Sequence, residues 1–279
     1  MEAAIDFGIS NTDAIVAIDG IRHYWSQPTG NAPDLTSVRR LLAAGGVALD
    51  SLPRLAVTGG RHKALASRLD GCQVVAVPEV TAIGRGGQAL RLPPGGDTST
   101  PLIVVSAGSG TAIVSARGAR YEHVTGTGVG GGTLLGLGRL LLGETDVARL
   151  DAMAMRGDAN GADLALRDVV SGPIGTLPPE ATAVNFGRLA RQTAEATPDD
   201  LAAALMTLVG QVIAITAINA ARAERVKNIV IIGHMADMPS FRRVIAQVGT
   251  YYGATLDVPN RAGYGTALGA LLHVSDSPL

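Results

Sequence analysis

The stretch from Val104 to Gly143, VVSAGSGTAIVSARGARYEHVTGTGVGGGTLLGLGRLLLG, decides the fold. A β-branched run (Ile103, Val104, Val105) enters a turn made of Gly108, Ser109 and Gly110, and a second apolar run (Ala112, Ile113, Val114) leaves it. A turn at Arg117 and Gly118 leads to a third short run ending at Val124. The chain then passes Gly126, Gly128, Gly130, Gly131 and Gly132 into a leucine-rich segment whose spacing predicts a helix from Thr133 to Leu142. Strand, glycine turn, strand and glycine loop feeding a helix start is an arrangement suited to phosphate. Glycine lets the backbone approach an anion, and the first helical N–H groups point at it with the dipole behind them. A glycine-rich linker is the competing reading. Linkers do not carry β-branched strands on one side and a leucine stripe on the other.

Upstream, Ala3 to Asp6 reads as a strand, Gly8-Ile9-Ser10-Asn11 as a turn, and Ala14 to Ile18 as a returning strand closed by Asp19-Gly20. This D-x-G-x-S hairpin echoes the one at Ala107 to Thr111. Two strand–turn–strand units with glycine and hydroxyl at the tip predict a duplicated α/β lobe, with a nucleotide between the copies. Asp6 ends a strand beside a phosphate-type turn, where a carboxylate would hold Mg²⁺ directly or through water. The alternative is a turn or cap aspartate.

Leu35 to Ala44 has helical spacing, Leu55 to Thr58 reads as a buried strand ending at Gly59-Gly60, and Ala64 to Leu69 as a helix. Val74 to Val77 reads as a strand ending at Pro78-Glu79, with a helix from about Val80. Alternating strands and helices imply a mainly parallel sheet, whose ligands gather beyond the carboxyl ends of strands. Glu79 stands at such an end, either favouring the helix dipole or poised as a general base. Spacing does not choose between the two.

The break at Leu92 to Ser99 divides the chain into lobes at 1–97 and 98–279, with the closing helix 264–275 able to pack back onto the first. In the second lobe, helices are expected at Thr145 to Met155, Phe186 to Ala194, Leu201 to Ala223, Phe241 to Tyr252 and Tyr264 to His273. Gly157 to Asp163 and Ser171 to Pro179 read as loops, and Thr255 to Val258 as a strand. Ile229 to Ile232 is a strand ending at Gly233-His234, where an adenine ring can lie against backbone. His62, His234 and His273 lack metal-ligand spacing and read as ordinary histidines. Ser10 and Ser109 have no His–Asp pattern of a nucleophilic hydrolase.

The 279 residues carry a net charge of −1 without a long basic run, which points away from nucleic acid and anionic membrane as partners. The single Cys72 excludes an internal disulfide, a cysteine-held zinc site and an iron–sulfur cluster within one chain. No basic and apolar leader opens the sequence, so a cytoplasmic location is expected. Leu201 to Ala223 is apolar but interrupted by Thr207, Gln211, Thr216 and Asn219, and reads as a core helix rather than a membrane span.

The motifs D-F-G-I-S (from Asp6), E-V-T-A-I-G-R-G-G (from Glu79), G-S-G-T (from Gly108) and V-T-G-T-G-V-G-G-G-T-L-L-G-L (from Val124) follow in order. M-R-G-D (from Met155), V-N-F-G (from Val184), I-I-G (from Ile231) and G-T-A-L-G-A-L (from Gly265) continue the series. In these motifs the chain resembles the type II pantothenate kinases, a family of the actin-like, acetate and sugar kinase fold. The resemblance implies that Asp6, Gly8, Ser10 and Asn11 form a first phosphate hairpin, with Asp6 placing Mg²⁺. It implies Glu79 as catalytic base and Ser109 as a site serine between substrate and nucleotide. Gly131, Gly132 and Thr133 would hold ATP phosphates, Gly233 and His234 would lie near the nucleoside, and His123 and Gly126 on the substrate side. It also implies a homodimer. Two positions depart from the family pattern: Asp13 stands where a phosphate-directed lysine is usual, and His123, preceded by Glu122, where an arginine pairs with the pantothenate carboxylate.

The expected function is an ATP-dependent kinase acting on the primary hydroxyl of pantothenate or a pantetheine-like alcohol, in the coenzyme A pathway or a relative of it. A nucleotide-binding pseudokinase or sensor of the same fold is the alternative that Asp13 and His123 favour and Asp6, Glu79 and Ser109 oppose. An ATPase activator of the dehydratase type would need cluster cysteines, which one cysteine per chain opposes.

Overall fold

A computed structural model describes residues 1–92, 96–172, 174–191 and 195–276. In the first lobe β1 (Glu2–Phe7), β2 (Asn11–Ile18) and β3 (Ile21–Pro28) form an antiparallel meander, followed by α1 (Leu35–Ala44). β4 (Arg54–Thr58) pairs in parallel with β1, and β5 (Arg68–Leu69) and β6 (Cys72–Ala76) complete the order β3-β2-β1-β4-β6-β5. α2 (Glu79–Arg91) follows.

The second lobe repeats the plan. β7 (Leu102–Ala107), β8 (Thr111–Arg117) and β9 (Arg120–Thr127) form the meander, followed by α3 (Gly131–Leu142) and α4 (Val147–Arg156). β10 (Leu164–Ala165), α5 (Leu166–Val169) and β11 (Thr182–Val184) make a small ribbon before α6 (Pro198–Ala223). β12 (Asn228–Ile232) pairs in parallel with β7, α7 (Pro239–Tyr252) follows, and β13 (Leu256–Asp257) pairs in parallel with β12. The sheet order is β13-β12-β7-β8-β9, the same connectivity as the first sheet. α8 (Gly265–Ser275) closes the chain.

Both faces of each sheet are covered. Ala3, Ile5 and Phe7 of β1 pack with Val38, Leu41 and Leu42 of α1. Ala4, Ile15 and Ala56 turn the other way, onto Ala267, Leu268 and Leu271 of α8. Side chains alternate along a strand, so the register partners Asp6, Asp13 and Thr58 fall on the α8 face. In the second sheet Ile103, Val105 and Ile113 face α6, and Leu102, Val104 and Val114 face Ile83 of α2. Each interlobe helix thus covers the sheet of the other lobe. α2 and α8 approach so closely that a Cβ on Gly86 would strike the Gly265 carbonyl, and one on Gly269 the Ala82 carbonyl. α6 is long and apolar enough to span a bilayer by composition, yet Leu205, Val209, Ile213 and Ala217 are fully buried in the second core. Its start is fixed by a reciprocal Thr197–Asp200 capping box with Pro198 in the first turn.

Two expected helices are absent. Instead of a helix at Ala64 to Leu69, a 3₁₀ turn (His62–Ala64) leads into β5, because Asp70 and Gly71 (φ 48° and 85°) form a tight hairpin turn to β6. The same device at Asp19 and Gly20 (φ 49° and 80°) adds β3, which the sequence reading did not anticipate. The described part of the expected helix Phe186 to Ala194, residues 186–191, is not α-helical: Phe186 adopts φ 57° after β11, and Leu189–Arg191 forms a 3₁₀ turn. Residues 192–194, 173 and 277–279, and 93–95 within the expected lobe break, lie outside the described residues.

Candidate active site

The two meanders turn their hairpin tips toward each other across the interlobe cleft. Ser10 Oγ and Ser109 Oγ meet at 2.7 Å. Two left-handed glycines seat these tips. Gly59 (φ 84°) ends β4, and a Cβ there would lie 2.5 Å from Asp6 Oδ1. Gly233 (φ 94°) ends β12, and a Cβ there would lie 2.5 Å from the Ala107 carbonyl. Each parallel strand therefore presses its end against the neighbouring hairpin, in the same way in both lobes.

The cleft encloses about 660 Å³ and is lined by Asp6, Gly8, Ser10, Asn11, Glu79, Ser109, Gly131, Gly233 and His234 among the residues singled out from sequence. Gly132, Thr133, His123 and Gly126 are not on its wall. Gly131 and Gly132 were expected to offer their N–H groups to phosphate. These two N–H groups already donate to Gly108 O at 2.8 Å and Ser109 O at 2.9 Å. They fasten the start of α3 to the second hairpin. Thr133 Oγ1 accepts from Gly130 N at 3.4 Å and donates to Gly128 O at 3.2 Å, which makes it a cap of the same loop. The N–H groups of Ile9, Ser10, Ser109 and Gly110 donate to no backbone carbonyl outside the strands and helices among the described residues. The hairpin tips, more than the helix start, present free donors to an anion.

Asp6 is half-buried at the end of β1. Desolvation, with Asp13 and Glu79 adding negative charge and His234 opposing them, pushes its pKa up to about 8. Glu79 is exposed at the first turn of α2, with Pro78 before it. It faces the same cleft as Asp6 and has no ion-pair partner among the described residues. No Arg or Lys lines the cleft among the described residues. Met235, Met238, Leu134, Leu135 and Val147 form an apolar wall on the second-lobe side, a feature the sequence reading missed. The one available signal was the position of Met235 two residues past a strand-end glycine.

His234 is not an ordinary histidine. Its Nε2 lies 2.8 Å from Asp13 Oδ1 and its Nδ1 2.8 Å from Asp237 Oδ2. Burial works against its charge, but the bonds to Asp13 and Asp237 outweigh it and raise the pKa to about 10. No sequence spacing links residues 13 and 234, so only the fold reveals this pair. His123 lies on β9 outside the cleft wall, where a Cβ on Gly126 would sit 3.5 Å from its Nε2.

Two lobes of one topology, with paired hairpin tips and carboxylates between them, define an actin-like ATPase fold. An activator of the 2-hydroxyisocaproyl-CoA dehydratase from Clostridium difficile with bound ADPNP superposes with a TM-score of 0.62 at 16% identity, covering 99% of this chain and 94% of that one. A ROK family glucokinase from Streptomyces griseus, in complex with glucose and AMPPNP, superposes with a TM-score of 0.59 at 12% identity, covering 98% of each. At such identities the fold alone is shared. The Fumble family matches residues 92–273. The type II pantothenate kinase of Oceanobacillus iheyensis is 32% identical over 222 residues, 77% of this chain and 80% of that one. That of Bacillus cereus is 27% identical over 228 residues, 81% of this chain and 83% of that one. The chain belongs to the Fumble family, the type II pantothenate kinases.

Proposed function

We propose that the protein transfers the γ-phosphoryl group of ATP to the primary hydroxyl of pantothenate, the acceptor its relatives are named for, or of a pantetheine-like alcohol, as a phosphotransferase step of coenzyme A formation or a relative of it. The observation that carries this reading is the cleft itself: two hairpin tips in contact through Ser10 and Ser109, with the Glu79 carboxylate open in the same space.

Phosphoryl transfer asks mainly for positioning and charge stabilisation. The apolar wall of Met235, Met238, Leu134 and Leu135 suits a nucleobase, and the tip amides of both hairpins suit the phosphates. Glu79 accepts the proton of the acceptor hydroxyl as that oxygen bonds to the γ-phosphorus and the bond to the β-phosphate oxygen breaks. The carboxylates of Asp6 and Glu79, with no Arg or Lys beside them, fit a divalent cation, which Asp6 would hold. Bound Mg²⁺ supplies charge neutralisation on the phosphates.

A pseudokinase is not favoured by any feature of the cleft, since both carboxylates stand in it. A dehydratase-activator role finds no support beyond the fold: Cys72 is buried in the first lobe, and burial raises its thiol pKa to about 11. A cytoplasmic homodimer completes the reading. The test is ADP release from MgATP with pantothenate, pantetheine or no acceptor. Acceptor-dependent release is expected, and ADP formation indifferent to every alcohol overturns the reading.

A further inference from the structure

Asp13 and His234 come from different lobes and from positions 221 residues apart. Asp13 lies on β2, on the cleft-facing side, and its side chain is 7% exposed. His234 follows Gly233 at the end of β12, and its two ring nitrogens are both engaged by carboxylates, Asp13 and Asp237. A ring bonded to a carboxylate at each nitrogen carries both protons and is an imidazolium. It is the sole cationic side chain on the cleft wall among the described residues, and no N–H of it remains for a ligand.

The ring is held on its other sides as well. Tyr264 meets it edge-on at 5.8 Å between centroids, and Tyr264 in turn packs edge-on against Tyr24 of β3 at 5.4 Å. The Arg261 guanidinium covers the Tyr24 ring at 4.3 Å. Gly263 is required here, because a Cβ would run into His234 and Asp237. One residue beyond His234, the buried Met235 sets its Sδ 3.4 Å from the position of a Cβ on Gly131. Gly131 is the first residue of α3 and is bonded to the second phosphate hairpin through Gly108 O. A continuous line of contacts therefore runs from β2 of the first lobe to the loop that carries Ser109.

We propose that Asp13 is a positioning residue: through His234 it clamps the two lobes and sets the spacing of the two hairpin tips for the nucleotide phosphates, without touching the nucleotide itself. The proposal rests on the reading of the cleft as a nucleotide site. Its energetic basis is that removing His234 leaves the buried Asp13 carboxylate uncompensated, and removing Asp13 leaves the ring held from the Asp237 side alone, whereas removing both leaves no buried group without its partner.

The test compares Asp13→Asn, His234→Gln, the double variant and Asp13→Lys. The readouts are the Kd of adenylyl imidodiphosphate with Mg²⁺ by calorimetry, the KM for ATP, kcat and the melting temperature. Each single variant should raise Kd and KM about 10-fold or more while kcat at saturating ATP changes less than about threefold, and the double variant should stay within about threefold of the worse single one. Asp13→Lys should be the weakest binder, because its ammonium would face the imidazolium. The double variant leaves no lone buried charge, so it should melt near wild type and still bind weakly, which carries the test where a single variant does not fold. Losses that multiply in the double variant, unchanged binding with only a lowered melting temperature, or tighter binding by Asp13→Lys overturn the clamp. A wild-type protein that binds the nucleotide but phosphorylates no alcohol overturns the kinase reading instead, and the binding comparison still decides the clamp.

Discussion

The hydroxyls of Ser10 and Ser109 meet at 2.7 Å although they belong to different lobes, each at the tip of the hairpin that opens its lobe. The contact holds the two tips at a span where phosphate oxygens can accept from both. A hydrogen bond to a charged group is worth about 1.5–3 kcal/mol, so Ser10→Ala and Ser109→Ala should each raise the KM for ATP about 10-fold or more. The two hydroxyls share one contact, so the double variant should lose less than the product of the single losses. Steady-state kinetics with ATP varied checks this, and single variants with unchanged KM refute it.

Glu79 stands open at the start of α2 and lines the same cleft as Asp6. As the general base it should lose about 10²- to 10⁴-fold in kcat on substitution by Gln, with ATP binding near wild type. Pre-steady-state and binding measurements on Glu79→Gln separate the two effects. Unchanged kcat removes Glu79 from the chemistry.

His234 gives the fold a definite pH dependence. Its pKa is about 10 in the folded protein, against an ordinary value of 6.5, so the native state holds more protons between those values. The stabilisation is complete below pH 6.5 and is lost as pH rises through 10. Asp6, raised to about 8, acts in the same direction at lower pH, since its proton stabilises the folded state. The melting temperature of the ligand-free protein should fall from pH 7 to pH 10, and His234→Gln should flatten the part above pH 8. A wild-type melting temperature that rises over this range contradicts the assignment.

α6 shows a half-buried stripe of Leu208, Val212 and Ile215 on one face, and the end of α3 exposes Leu140 and Leu141, at 79% and 43%. Apolar side chains at helical spacing that the chain leaves partly open suit a two-fold partner. Sedimentation at micromolar concentration should give twice the 28.4 kDa chain mass. Leu140→Glu, on an exposed side chain, should weaken the dimer without unfolding the monomer; a wild-type monomer at this concentration counts against it.

Much of this architecture is written locally. The two hairpins, α1, α6 and β12 follow from alternation, helical spacing and caps, and strand ends at Asp6 and Glu79 point to the cleft before any fold is known. What was not legible depends on tertiary context. The Asp-Gly turn at Asp70 replaced a helical reading with a strand and the one at Asp19 added a strand that was not read, because a left-handed pair redirects the chain whatever the propensity of its neighbours. The N–H groups of Gly131 and Gly132 looked free in sequence and are consumed by Gly108 and Ser109, carbonyls that come from the hairpin before them. Asp13 reads as a departure from the family pattern until His234 is placed beside it.

The last prediction concerns the acceptor. His123 sits on β9, where the register against β8 shifts between Ile113 and Val114 and leaves Val124 as an extra residue beyond it. Before the shift, Tyr121 turns toward α2 and donates to Gln88 Oε1 at 2.9 Å, while Arg120 and Glu122 pair with each other at 2.6 Å on the exposed surface. Alternation therefore sets His123 on the α2 side with Tyr121, and keeps Arg120 from taking over a role there. An arginine at this position would be charged at every physiological pH and could grip a carboxylate with two hydrogen bonds. A histidine lacks the planar fork of donors that matches a carboxylate, and its ring presents one nitrogen at a time to a single carboxylate oxygen. Loss of a charged hydrogen bond, about 1.5–3 kcal/mol, weakens pantothenate binding about 10- to 150-fold relative to an arginine. An acceptor without the free carboxylate, such as pantetheine, should then have the higher kcat/KM, and His123→Arg should shift the preference toward pantothenate by about 10-fold or more. Side-by-side kinetics on the two alcohols decides it. A wild-type enzyme that prefers pantothenate, with His123→Arg making no difference, means that another cation binds the carboxylate.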